Sequence, residues 1–383
     1  MREFFSIRGL RTGFALAVAL CVTSAERASA AAPEREAIQF NRDIRPVLSQ
    51  NCFKCHGPDN DAREADLRLD VKEGLFGKVS GGIAVVPGKP AGSAVLRRIK
   101  SSDLDERMPP LDSGKKLTTA EIELIERWIS VGAEWQGHWA YIPPVRPEVS
   151  SAEPMPASIV RNDIDRLVQA ELRQQGLKPA AEADRITLIR RLSFDLTGLP
   201  PKPQDVDTFV HDSSNEAYDR LADRLLASPQ YGERMAMYWL DLVRFADTIG
   251  YHSDNPRNIT PYRDYVIAAF NNNKPFDRFT VEQLAGDLIP EATTEQKIAS
   301  GYNRLLMTTE EGGAQPKEYA AKYMADRVRN VSAVWLGSTM GCCECHDHKF
   351  DPFSTKDFYR LAAFFADVQE TPVGKREPGM LLA

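Results

Sequence analysis

The stretch Ile44-Arg45-Pro46-Val47-Leu48-Ser49-Gln50-Asn51-Cys52-Phe53-Lys54-Cys55-His56 runs a short amphipathic segment straight into a C-x-x-C-H pentapeptide. On a helical turn, cysteines three residues apart project to one side, and the histidine after the second follows them. Two sulfurs can then each bond a vinyl-derived carbon of one porphyrin while the imidazole reaches its iron, so this spacing is the attachment signature of c-type haem. The pattern recurs at Cys342-Cys343-Glu344-Cys345-His346. With six cysteines and six histidines in 383 residues, composition alone predicts about 0.0015 chance matches per chain. The cofactor expectation is therefore two covalent haems c, one on Cys52 and Cys55 with His56 as iron ligand, one on Cys342 and Cys345 with His346. A zinc ribbon would need two C-x-x-C pairs close in sequence, and these lie about 290 residues apart. At the second motif Cys343 and His348 leave a local Cys/His metal site as the alternative. Without such a site Cys343 is a bystander thiol.

A haem iron has a sixth position to be filled or left open. Arg107-Met108-Pro109-Pro110 offers a thioether on a proline-stiffened loop, and no other methionine lies between Met1 and Met155. Met/His ligation raises the reduction potential and suits electron transfer, so Met108 is expected as distal ligand of the first haem rather than as core filling. For the second haem His252, in the polar stretch Gly250-Tyr251-His252-Ser253-Asp254, ranks first, level with an open iron. Met307 and Met340 are further candidates, while His348 sits too near His346 to reach the opposite face. His138 and His211 read as ordinary linker or surface histidines, and Trp128, Trp135, Trp239 and Trp335 as packing residues.

Around these motifs the chain reads as mainly α. Residues 37–140 form a small first domain closed by a helix in which Thr118 and Glu121 make a capping box and Ile122, Ile125 and Ile129 share a face. Its middle is rich in Gly and Pro and shows little periodicity. Residues 141–159 carry Pro143, Pro144, Pro147, Pro154 and Pro156 and read as an extended linker. Residues 160–383 read as a larger helical domain, with Asn162 capping a helix whose Ile164, Leu167, Val168 and Leu172 fall at helical spacing. Further helical patterns run over 186–196, 218–226, 234–246, 262–270 and 318–336.

The first thirty residues read as a signal peptide. Arg2, Arg8 and Arg11 precede an apolar stretch from Gly13 to Thr23, and Ala28-Ser29-Ala30 supplies a cleavage site. Glu26 and Arg27 end that stretch too early for an anchor, and nothing else approaches the ~20 apolar residues of a membrane span. Export fits covalent haem attachment, which takes place outside the cytoplasm. The full chain carries a net charge of −6, which sets nucleic acid aside as a partner.

The order of short helix, C-x-x-C-H, irregular middle, Met-Pro and final helix resembles a class I cytochrome c. Asn41-Arg42-Asp43-Ile44-Arg45-Pro46, Val86-Pro87-Gly88-Lys89-Pro90, Arg107-Met108-Pro109-Pro110 and Gly137-His138-Trp139-Ala140 resemble the planctomycete-type cytochrome c domain in particular. Arg190 through Pro200, Pro261 through Val266, Gln283 through Asp287, and Cys342–His346 with Asp347-His348-Lys349-Phe350-Asp351-Pro352 resemble the uncharacterised helical domain that follows it in such proteins. The resemblance implies haem binding and electron transfer with a redox partner protein or domain, and it names no substrate. It also implies a third large domain in most members, leaving a fragment and a natural short form both open. The expected function is an exported dihaem electron carrier. A peroxidase-like dihaem enzyme with an open second iron and a non-redox docking module are the competing readings.

Overall fold

The computed structural model describes residues 37–147, 160–251 and 254–374. These are mainly α-helical, with one two-stranded antiparallel hairpin. They fall into two units: the described residues of Met1–Gly57 with Glu64–Gln136, and those of Pro58–Arg63 with Gly137–Ala383. The signal-peptide expectation lies outside the described residues. No helix among the described residues is long and apolar enough to cross a membrane.

In the first unit a π-helical turn at Phe40–Ile44 leads into α1 (Arg45–Asn51), followed by α2 (Lys72–Leu75), the hairpin β1 (Lys78–Val79) and β2 (Gly82–Ile83), α3 (Ala94–Lys100) and α4 (Thr119–Ser130). Helix α4 starts where its sequence says. The Thr118 hydroxyl accepts from the Glu121 N–H at 3.2 Å, and the Glu121 carboxylate accepts from the Thr118 N–H at 2.7 Å. The helix ends at Val131, and Gly132 beside it takes a φ of +114°, which glycine alone adopts without strain. The buried face of α4 (Ile125, Trp128, Ile129) meets Phe40, Ile44 and Leu48 across the core. Trp128 and Trp135 both pack on the Phe40 ring, at 5.6 and 4.3 Å between centroids. Helix α3 had no sequence expectation, because seven residues between glycines and prolines are too few to display a period. It buries Ala94, Leu96 and Ile99 all the same.

The second unit contains α5 (Asp163–Gln174), α6 (Arg185–Thr197), α7 (Pro203–His211), α8 (Ala217–Leu226), α9 (Pro229–Leu242), α10 (Thr260–Asn271), α11 (Phe276–Ala285), α12 (Thr294–Ala299), α13 (Pro316–Trp335) and α14 (Thr355–Ala363). Helices α9 and α10 approach closely at Gly232, where a Cβ would meet the Ile267 carbonyl and the Asn271 side chain at 2.5 Å. Around that crossing, α9, α10, α11, α13 and the 3₁₀ turn Ser300–Arg304 build a core from Trp239, Tyr262, Tyr265, Phe279, Tyr302 and Val331. Its polar atoms are satisfied internally. The Gln283 side-chain oxygen Oε1 accepts from the Trp239 indole at 2.8 Å and the Tyr262 hydroxyl at 2.5 Å, and Glu282 accepts from Tyr265 at 2.8 Å and pairs with Lys274. Burial pushes both tyrosine hydroxyls far above their ordinary range.

One helical expectation needs correction. The pattern over 234–246 stops at Leu242, because Arg244 turns into the left-handed region at a φ of +61°. The helix expected after Asn162 is present as α5, and among the described residues its Ile164, Leu167 and Val168 stay exposed. That helix rests on local bonds instead, the Asn162/Asp165 capping box and Asp163 between Arg146 and Arg166.

Because Ile129 is fully buried at the centre of the first unit, Ile129→Ala is expected to destabilise that unit by about 2–5 kcal/mol. Thr118→Ala is expected to cost about 1 kcal/mol through the lost cap. Denaturant unfolding of the full chain, followed by tryptophan fluorescence, measures both.

Candidate haem cleft and second motif

Helix α1 delivers the first motif. Its last turn closes with the Cys52 N–H on the Leu48 carbonyl at 2.7 Å, and the Cys52 carbonyl in turn accepts from Cys55 at 3.1 Å and His56 at 2.8 Å. The motif thus forms one tight turn. Gly57 follows it where any Cβ would meet the Phe53 carbonyl oxygen at 2.2 Å, so only glycine lets the chain leave in this direction. The His56 Nδ1 lies 3.2 Å from the Glu64 carbonyl. A carbonyl can only accept, so the proton sits on Nδ1 and the Nε2 lone pair is left for a metal. Burial lowers the His56 pKa, and the Arg98 cation adds to that, so the ring is held neutral.

Cys52, His56 and Met108 line one cleft together with Leu67, Leu69, Ala84, Ala94, Val95, Arg98 and Ile99. The lining is mostly apolar, as is usual for cofactor sites. Helix α3 supplies much of it and anchors the distal loop, since the Met108 N–H donates to the Arg98 carbonyl at 3.1 Å. Cys55 lies on the same turn as Cys52, whereas Trp128 and Trp135 belong to the core and do not line the cleft. The residues present fit a porphyrin: a thiol and a neutral imidazole on one turn, a thioether on a loop, and apolar side chains between. Arg98 was missed at the sequence level, for the same reason that α3 was.

The second motif forms the same turn. Residues Met340–Glu344 are 3₁₀-helical, and the Cys342 carbonyl accepts from Cys345 and His346, both at 3.3 Å. A period of three sorts the side chains. Met340 and Cys343 pack inward against Val328 and Phe358, while Cys342 and Cys345 are exposed. His346 Nδ1 sits 2.8 Å from the Asp347 carbonyl, the same tautomer as His56, again leaving Nε2 free of the proton.

The neighbouring histidines have the opposite tautomer. His348 Nδ1 accepts from the Asp351 N–H at 2.8 Å and the Phe350 N–H at 3.2 Å, so its proton is on Nε2. His138 Nδ1 accepts from the Ala140 N–H at 3.3 Å, and its Nε2 faces the Asp351 carboxylate at 3.4 Å. His138 is therefore no idle linker residue. Together with Tyr141, which bonds the Ser338 hydroxyl and packs edge-on to Phe353, it fastens 137–141 beside the loop after the motif. Among other distal candidates, Met340 is buried in the core, Met307 lies half-exposed against Gly250, and His252 falls outside the described residues. His211 shares the His56 tautomer but stands exposed on α7, with no cysteine near it in sequence. Tautomer alone does not make a site. Among the described residues no group of three or more His, Cys, Asp or Glu side chains is arranged to hold a metal ion.

Comparison with known families finds two matches. Residues 163–370 match the PSCyt2 family, described as a protein of unknown function (DUF1549), and residues 52–112 match PSCyt1, the planctomycete cytochrome C. The second match suggests a c-type cytochrome and implies covalent haem c, with which Cys52 and Cys55 are consistent. No curated protein and no solved structure matches the chain.

Burial, with a smaller contribution from Cys55, pushes the Cys52 thiol up to about 12. An ordinary cysteine ionises near 8.5. In haem-free folded chain, alkylation of Cys52 by iodoacetamide is therefore expected to be at least tenfold slower at pH 8 than after unfolding. Peptide mass spectrometry reads the difference, and equal rates contradict the buried placement.

Proposed function

The chain belongs to the PSCyt2 family, and from that premise we propose that it is an exported dihaem c-type cytochrome passing electrons to or from a redox partner protein. Cys52 and Cys55 would hold the first haem covalently, with His56 and Met108 as iron ligands, and Cys342, Cys345 and His346 would hold the second. The observation that carries the reading is the arrival of Cys52, His56 and Met108, from distant parts of the sequence, at the lining of one apolar cleft. A bound haem supplies reversible one-electron chemistry, and thioether–imidazole ligation places its potential high.

The chain's own residues supply the rest. The Glu64 carbonyl fixes the His56 ring and its tautomer, so a neutral Nε2 is presented without reorganisation. Backbone bonding of Met108 to α3 holds the thioether loop in place. Leu67, Leu69, Val95 and Ile99 line the cleft with apolar surface, which lowers the local dielectric and so strengthens any charge interaction at that wall. Export of the chain agrees with an N-terminal segment patterned as a signal peptide and with the attachment chemistry at two C-x-x-C-H motifs.

A second reading, a dihaem redox enzyme whose second iron keeps an open position, is favoured by one observation. The nearby histidines His138 and His348 spend Nδ1 as an acceptor and carry the proton on Nε2, and Met340 is locked in the core. Slow or absent binding of cyanide and a fully low-spin second haem would exclude it.

The pyridine haemochrome of purified, matured chain is expected to give two haems. Cys52→Ser with Cys55→Ser removes one, and Cys342→Ser with Cys345→Ser removes the other. Zinc in place of porphyrin ends the proposal. Met108→Ala is expected to abolish the thioether charge-transfer band at the red end of the oxidised spectrum and to lower the first haem's potential.

A further inference from the structure

The cleft contains one side chain with a permanent charge. Arg98 is half-buried on α3, no aspartate or glutamate lines the cleft with it, and among the described residues its guanidinium makes no hydrogen bond or ion pair. Its neighbours are occupied: Arg97 donates to the Gly81 carbonyl at 3.2 Å, and Lys100 pairs with Glu126 at 2.6 Å. A cation kept at an apolar wall is costly unless an anion meets it there. The guanidinium fork matches a carboxylate with two parallel hydrogen bonds. An apolar cleft with one free fork therefore selects a ligand that is flat and greasy over most of its surface and carboxylated at its edge.

We propose that Arg98 binds a carboxylate side chain of the porphyrin in this cleft and, by neutralising it, holds the first haem's reduction potential up. The inference rests on the haem reading above and adds a residue to it. The sign follows from electrostatics: an uncompensated carboxylate near the iron favours the more positive, oxidised metal. Arg98 serves the distal loop as well, but through its backbone carbonyl, which a side-chain substitution leaves in place.

The test is a potentiometric titration of the full, haem-loaded chain, with the second haem as internal reference. Arg98→Gln is expected to lower the equilibrium constant for reducing the first haem about tenfold, ~59 mV for one electron, with the thioether band retained. Arg97→Gln is expected to leave it unchanged. Arg98→Lys keeps the charge and loses the fork, so an intermediate fall is expected, and this variant decides the matter if Arg98→Gln does not fold. A potential at the wild-type value in the Gln variant, or in the Lys variant where only that one folds, overturns the inference. The same holds if Arg98→Gln changes only the salt dependence of electron transfer to an acidic partner protein, because the cation would then face that partner. Wild-type chain without haem on Cys52 and Cys55 overturns the underlying function instead, so the two failures are distinguishable.

Discussion

One carbonyl does much of the organising in the first unit. The Cys52 oxygen accepts from both Cys55 and His56, and that small turn puts a thiol and an imidazole on the same side of the chain. The turn can form because α1 ends at Cys52 and Gly57 lets the backbone out past the Phe53 carbonyl. The His56 ring then takes its orientation from Glu64, eight residues on, and its neutrality from burial. Each of these bonds is local. The cleft they face depends on distant packing, with α3 supplying both its lining and the anchor for Met108.

The second motif repeats the turn in a different setting. There the inward positions of a 3₁₀ helix, Met340 and Cys343, lock it to α13 and α14, and the two motif cysteines face outward. Its surroundings are polar and heavily bonded: Asp347 accepts from the Thr355 N–H at 2.8 Å, Glu344 pairs with Arg329, and His348 is held by two backbone amides. Identical local geometry thus carries two environments, one apolar and recessed, the other exposed. Axial ligation and burial set a haem's potential, so under the proposed function the two turns would hold haems of different potential.

Much of the framework was legible because it is written in short-range chemistry. The Thr118/Glu121 and Asn162 caps stand where the residues place them. Both C-x-x-C-H turns were legible for the same reason. What escaped is what only tertiary packing reveals. Helix α3 is too short to show a period, and with it went Arg98. The stripe on α5 has helical spacing, but spacing alone does not say what covers it, and among the described residues Ile164, Leu167 and Val168 are exposed. His138 read as a linker residue because its partner Asp351 lies more than 200 residues away. Sequence also could not assign the tautomers, which separate His56 and His346 from His138 and His348.

Covalent attachment at the first turn is the claim on which the rest stands, and intact-mass spectrometry under denaturing conditions addresses it directly. Chain matured in an export-competent host is expected to retain porphyrin mass after unfolding, with one haem mapping to the peptide that contains Cys52, Cys55 and His56. An unmodified mass at that peptide, from a host shown to mature other c-type cytochromes, would contradict the account.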